Sequence, residues 1–327
     1  MVAAATACLS LAGCGQLNAS PRPIAGATPS PSAVATHSPQ WVPAAEVATV
    51  ATGILDGLKA PCSVQLEMYE LGNPTLITAL KDAHRSGCSV QVELDATESQ
   101  SIASVPVLRQ AGIQVRTVHV ANHGIDHIKA LVINGGSQVL IGGVNWGRYS
   151  SYTTDADVLI FNDPAIAQGL AIDWTNSIAS FSGGATSPQA LEGPSIATAI
   201  KSLIGNAHHR VLVITNYLTS YGIQDALAAA VRRGVTVDVV LNKSGYGAAS
   251  AATWLSAHGV HVRLAPTSPY LHAKVILTDS AGIIGSANLS YDGLHVNREL
   301  DTPIPASLIP AATSWADTIW ATATPSA

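Results

Sequence analysis

Two stretches of this 327-residue chain hold the side chains from which chemistry could be built: HIKALVINGGSQVLIGGVNW, residues 127–146, and HAKVILTDSAGIIGSANLS, residues 272–290. On a β-strand successive side chains point to opposite faces, so His127 and Lys129 share a face, as do His272 and Lys274. After each Lys come four residues and a turn, then a second apolar strand. That strand ends in Gly142-Gly143-Val144-Asn145 in the first copy and in Gly285-Ser286-Ala287-Asn288 in the second. The glycines permit close backbone approach, and Asn145 and Asn288 bring an amide to the same place. Two imidazoles, two ammonium groups and two amides delivered to one cleft suit an anionic ester. One imidazole attacks while the other handles protons, and the cations and amides hold the charged oxygens.

One His-x-Lys is a weak signal, but two copies with the same turn, small-residue strand and Asn are a strong one. In these residues the chain resembles the phospholipase D superfamily, whose members carry two His-x-Lys-x4-Asp motifs, each followed by Gly-Gly or Gly-Ser and an Asn. The second copy fits in full, with Asp279. The first has Asn134 where the family has Asp, and Asn-Gly is itself a hairpin former. The resemblance implies that His127 is the nucleophile, with His272 as general acid and base. It also implies that a downstream carboxylate orients each histidine. Glu299 is the candidate after the second motif, and Asp155 and Asp157 are candidates after the first; the repeat register does not choose between the last two. A carboxylate on the far ring nitrogen fixes tautomer and orientation. The sequence has no HExxH and no cluster of acidic ligands near either motif, so neither a metal nor another cofactor is expected.

The elements that must position these groups repeat as well. SVQLEMYEL is matched by RVLVITNYL, TLITALKDAHRSG by IQDALAAAVRRG and AGIQVR by HGVHVR, with Tyr69 falling on Tyr217, Gly87 on Gly234 and His127 on His272. Strand-like runs alternating with helical ones imply parallel strands joined by crossover helices. The expected fold is α/β: two pseudo-twofold-related lobes, 46–181 and 195–323, each a mixed, mainly parallel sheet flanked by helices, joined by a linker over 182–194. One chain then holds both half-sites and is expected to act as a monomer.

Residues 1–13 read as a lipoprotein-type signal peptide, although no Lys or Arg precedes Arg22. Leu11-Ala12-Gly13-Cys14 resembles a lipobox, with Cys14 as the lipidated residue. A Pro/Ser/Ala-rich tether is expected over 14–45. Cys62 and Cys88 each sit just ahead of a strand-like run, and an exported chain would bridge them if those strands are parallel neighbours. His123 and Asp126 lead into the first motif, and Trp146 and Tyr149 follow it; for each, cleft-lining and ordinary packing or solvation both fit. Charged residues make up 11% of the chain, net charge is -5 and mean hydropathy is +0.29. That composition argues against a broad nucleic-acid footprint. The expected activity is an exported, membrane-tethered phosphodiesterase that cleaves phospholipids. An endonuclease is the alternative within the same chemistry, and a non-catalytic phosphate-binding envelope lipoprotein is the alternative from another class.

Overall fold

Strand pairing in this chain follows from its connections. In the computed structural model, which describes residues 38–175 and 189–326, the first lobe runs β1 (Gln40–Pro43), α1 (Ala44–Asp56), β2 (Cys62–Met68), α2 (Pro74–Arg85), β3 (Cys88–Asp95), α3 (Ser99–Gln110), β4 (Gln114–Val118), β5 (Lys129–Ile133), β6 (Gln138–Gly142), β7 (Ala156–Phe161) and α4 (Pro164–Thr175). The second runs β8 (Leu191–Glu192), α5 (Pro194–Gly205), β9 (Arg210–Thr215), α6 (Tyr221–Arg232), β10 (Thr236–Asn242), α7 (Ala248–Ala257), β11 (His261–Ala265), β12 (Lys274–Thr278), β13 (Gly282–Gly285), α8 (Tyr291–His295), β14 (Leu300–Pro303), α9 (Ile309–Thr322) and β15 (Thr324–Pro325). The sheet orders are β1-β7-β6-β5-β2-β3-β4 and β15-β11-β10-β9-β12-β13-β14-β8.

Both sheets are mixed. Parallel pairing is confined to β2-β3-β4 and β9-β10-β11, the strands joined by crossover helices, and every other pairing is antiparallel. The expected predominance of parallel strands is therefore corrected, because tight hairpins after β5 and β12 admit only antiparallel return. The expected tether also ends sooner than residue 45. Val42 is buried within β1, which pairs with β7, and Ala44, Val47, Ala51 and Leu55 recur at helical spacing along the buried face of α1. Within the stretch expected as linker, Leu191 and Glu192 pair with β14. The signal segment, Cys14 and residues 182–188 lie outside the described residues.

The two sheets pack face to face with helices outside. Ala130, Val132, Val139 and Ile141 of the first sheet share a core with Leu212, Ile214, Val275 and Leu277 of the second. The alternate residues Leu131, Ile133 and Leu140 face the helices of their own lobe. Burial on both faces explains why the run ALVI after Lys129 is apolar throughout rather than alternating. Cys62 and Cys88 are direct partners across β2 and β3 and are joined by a disulfide with Cα atoms 4.6 Å apart.

Candidate active site

Each motif histidine lies in the extended segment just ahead of its strand, and that segment pairs with the other lobe. Asp126 bridges Arg298, and Thr154 bridges Leu271. The His127 N–H donates to the Arg298 carbonyl at 2.9 Å, and the His272 N–H donates to the Thr154 carbonyl at 3.0 Å. The side chains cross accordingly. His127 Nδ1 lies 3.0 and 2.9 Å from the two carboxylate oxygens of Glu299, and His272 Nδ1 lies 2.7 Å from Asp155 Oδ2. Each lobe thus supplies the carboxylate for the other's imidazole. With Nδ1–H donating to the carboxylate, the lone pair of each ring lies on Nε2, and at His272 the Lys274 ammonium stands 3.1 Å from that atom.

The small residues at the ends of β6 and β13 have a steric reason. A Cβ on Gly143 would stand 2.4 Å from Asp155 Oδ1, and one on Gly285 would stand 2.0 Å from Asp301 Oδ1. At the position matching Gly143, Ser286 instead donates its hydroxyl to Glu299 Oε2 at 2.5 Å. Asp157 does not orient a histidine: its Oδ1 accepts from the Val144 N–H at 3.0 Å, as Asp301 Oδ1 accepts from the Ala287 N–H at 3.0 Å. The pair Asp157 and Asp301 brace the Asn-bearing loops.

Lys129 and Lys274 are almost fully buried and donate to the carbonyls of His127 and His272 respectively. Burial pushes Lys129 down to about 7 and Lys274 down to about 8. Burial, reinforced by both ammonium charges, also holds His127 well below the usual imidazole range, and burial with Lys274 lowers His272 to about 4. Although burial opposes it, the His272 hydrogen bond and the Lys274 charge keep Asp155 below its ordinary value, whereas burial lifts Glu299 to about 7. That each lobe's lysine acts on both imidazoles places the four groups in one field. Tyr69 stands edge-on to His127, with ring centroids 4.9 Å apart. The Oδ1 atoms of Asn145 and Asn288 are buried without a hydrogen-bond partner.

A family model described as "Cardiolipin synthase, PLD-like domain" matches residues 58–174 and 200–319. The chain belongs to the phospholipase D-like family. Its members are enzymes that act on phosphodiesters. Among solved structures, phosphatidylserine synthase from Haemophilus influenzae Rd KW20 is similar in fold at 12% identity and a TM-score of 0.66, over 88% of this chain and 87% of that one. Polyphosphate kinase from Porphyromonas gingivalis gives a TM-score of 0.66 at 15% identity, over 86% of this chain but only 46% of the kinase. The phospholipase D family member Nuc from Salmonella typhimurium matches 43% of this chain at 23% identity and a TM-score of 0.39. No curated protein matches the sequence significantly.

The first motif's departure from the family pattern lies away from this centre. Asn134, with φ 47°, turns the hairpin after β5, and its Oδ1 accepts from the Ser63 N–H at 2.8 Å. Asp279 does the same work in the second lobe, accepting from the N–H groups of His208, His209 and Arg210. Both lie at the opposite ends of β5 and β12 from the lysines, so Asn134 substitutes for Asp as a turn residue.

Three dimensions add what spacing did not show. Glu67, Glu93 and Asp126 converge directly behind the first motif, which corrects the reading that no acidic cluster lies there; the three come from separate segments and meet only on folding. Arg298 occupies the cluster, 2.6 Å from Glu67, 2.8 Å from Glu93 and 3.5 Å from Asp126, and Arg116 lies 3.1 Å from Glu93. With guanidinium groups already bonded to these oxygens, the cluster is an ion-pair anchor between lobes rather than a metal site. Asp126 belongs to that anchor, while His123 is exposed and Trp146 is buried in the first lobe's core. Arg298 was legible only as the neighbour of Glu299.

Two outcomes follow. Gly143→Ala is expected to displace Asp155 and cut turnover of bis(4-nitrophenyl) phosphate about 10²-fold, whereas Asn134→Asp is expected to stay within about twofold of the parent. Both are read as kcat/KM with folding checked by circular dichroism. The two lysines hold an anion only while protonated, and their lowered values put deprotonation at about 7 to 8, so kcat/KM is expected to fall as pH rises through that window. A profile that stays level to pH ~9 contradicts this assignment.

Proposed function

We propose that this chain is a phospholipase D-type phosphodiesterase that hydrolyses phospholipids through a phosphohistidine. The crossed His–carboxylate pairs flanked by two buried lysines carry the reading. His127 Nε2 attacks phosphorus and the P–O bond to the leaving alcohol breaks, its oxygen taking a proton from His272 Nε2. His272 then removes a proton from water, the resulting hydroxide attacks phosphorus, and the P–N bond to His127 breaks. Lys129 and Lys274, with the amides of Asn145 and Asn288, hold the non-bridging oxygens as charge accumulates there. An anion seated between the lysines offsets the field that depresses His272 and restores the proton that general-acid catalysis needs. Assignment of attack to His127 follows the family pattern for the N-terminal motif.

Support for a lipid substrate comes from the matching family's description, from the likeness in fold to a phosphatidylserine synthase over most of both chains and from the charge-poor composition. The proposal extends to export, with Cys14 as an acyl anchor that keeps the enzyme at a membrane surface. Nucleic acid is the competing diester.

His127→Ala and His272→Ala are each expected to lower head-group release from phospholipid vesicles by at least about 10³-fold, with chelator leaving the parent rate unchanged. Full activity in either variant refutes the mechanism. Cleavage of single-stranded DNA without head-group release moves the substrate to nucleic acid.

A further inference from the structure

The chain has eight tyrosines and two phenylalanines. Tyr69 follows β2 directly and Tyr217 follows β9 after Asn216, at the end of each sheet where the lysines lie. The other six, Tyr149, Tyr152, Tyr221, Tyr246, Tyr270 and Tyr291, are 39–82% exposed and, with Ile102 and Val107, are the exposed large hydrophobics among the described residues. All six lie at that same end, four on connections and two, Tyr221 and Tyr291, as the first residues of α6 and α8. Tyr149 and Tyr152 follow β6, Tyr221 follows β9, Tyr246 follows β10, Tyr270 precedes β12 and Tyr291 follows β13. Turns at the opposite end, around Gly87, Gly112, Asn134, Gly234, Gly259 and Asp279, carry none.

These connections are stitched to one another. The Thr154 N–H donates to the Tyr270 carbonyl at 2.9 Å, and the Tyr270 hydroxyl reaches Asn216 Oδ1 at 3.2 Å. The site for a Cβ on Gly245 lies 2.6 Å from the Asn216 carbonyl oxygen, and the N–H groups of Thr219 and Ser220 both donate to the Leu289 carbonyl at 2.9 Å. The segments that carry the tyrosines are therefore linked to one another at the end of the sheets where the site lies. The tyrosines' neighbours are mostly Ser and Gly, as in GRYSSY, SYG, SGYG and SYDG, and the charges beside them are of both signs: Arg148, Lys243 and Asp292. A single-strand nucleic-acid platform pairs aromatic rings with a positive groove, and that groove is missing from these connections. A tyrosine ring with a hydroxyl tip instead suits a boundary that is apolar on one side and wet on the other.

We infer that the six exposed tyrosines form an interfacial rim through which the mouth of the site docks on a phospholipid bilayer. The inference deepens the phospholipid reading and rests on it for the choice of partner. Docking of this kind depends on ring burial rather than counterion release, so it tolerates salt.

The test uses the full chain carrying Cys14→Ser, which removes the acyl anchor, and His127→Asn, which removes turnover. Sedimentation with phosphatidylcholine vesicles is compared between this parent and the same chain with Tyr149→Ser, Tyr246→Ser and Tyr291→Ser. Serine substitution is expected to weaken vesicle binding at least about tenfold at an unchanged melting temperature, while the matching Tyr→Phe set, which keeps the rings, stays near the parent. Parent binding is expected to change less than about twofold between 0.1 and 0.5 M salt. Equal binding by parent and serine set overturns the rim, as does parent binding lost at high salt or a parent that binds single-stranded oligonucleotide but not vesicles. A wild-type enzyme that docks through the rim yet releases no head group overturns the substrate reading and leaves the rim standing.

Discussion

The structure depends on an exchange of carboxylates. Glu299 of the second lobe holds the imidazole of the first, and Asp155 of the first holds the imidazole of the second. A buried imidazole set between two ammonium groups is hard to keep oriented unless its far nitrogen is engaged by a buried acceptor. Because each acceptor comes from the opposite lobe, neither half is complete alone. Docking of the two sheets across their shared core is what assembles the site.

Other features serve that exchange. Gly143 leaves room for Asp155, Ser286 bonds Glu299, and Asp157 and Asp301 tie down the loops that carry Asn145 and Asn288. The pseudo-twofold symmetry breaks at the anchor behind the first motif. There Arg298 fills a nest of Glu67, Glu93 and Asp126, whereas the residue bridged by Thr154 at the matching place is the apolar Leu271. That anchor fixes the backbone one residue before Glu299 and one residue before His127, so the first imidazole is held at both its carboxylate and its backbone.

Much of this was legible in the chain. Duplicated His-x-Lys patterns with their turns and terminal Asn residues gave the two lobes, the pocket groups and the carboxylate candidates, because these signals are local and repeat in register. Pairing across lobes was not legible, since Asp155 and Asp157 share a strand face and only the docked partner tells them apart. Glu67, Glu93, Asp126 and Arg298 were invisible as a group because four separated segments contribute one residue each. Antiparallel pairing was underestimated because helix–strand alternation is a louder pattern than a hairpin of a few residues. Residues 40–43 read as the end of a tether because a four-residue edge strand carries little periodicity of its own.

The exchanged carboxylates leave the Nε2 of both imidazoles facing chemistry, and the proposal under test is that His127, on the family pattern for the N-terminal motif, is the one that attacks. The most direct measurement is rapid-quench trapping, under alkaline conditions that preserve phosphohistidine, with a diester labelled in the phosphoryl portion, followed by peptide mapping of the labelled protein. Label on the peptide containing His127, at up to one equivalent per chain, is the result this account requires. Label confined to the peptide containing His272, or turnover at full rate with no labelled histidine at all, contradicts it.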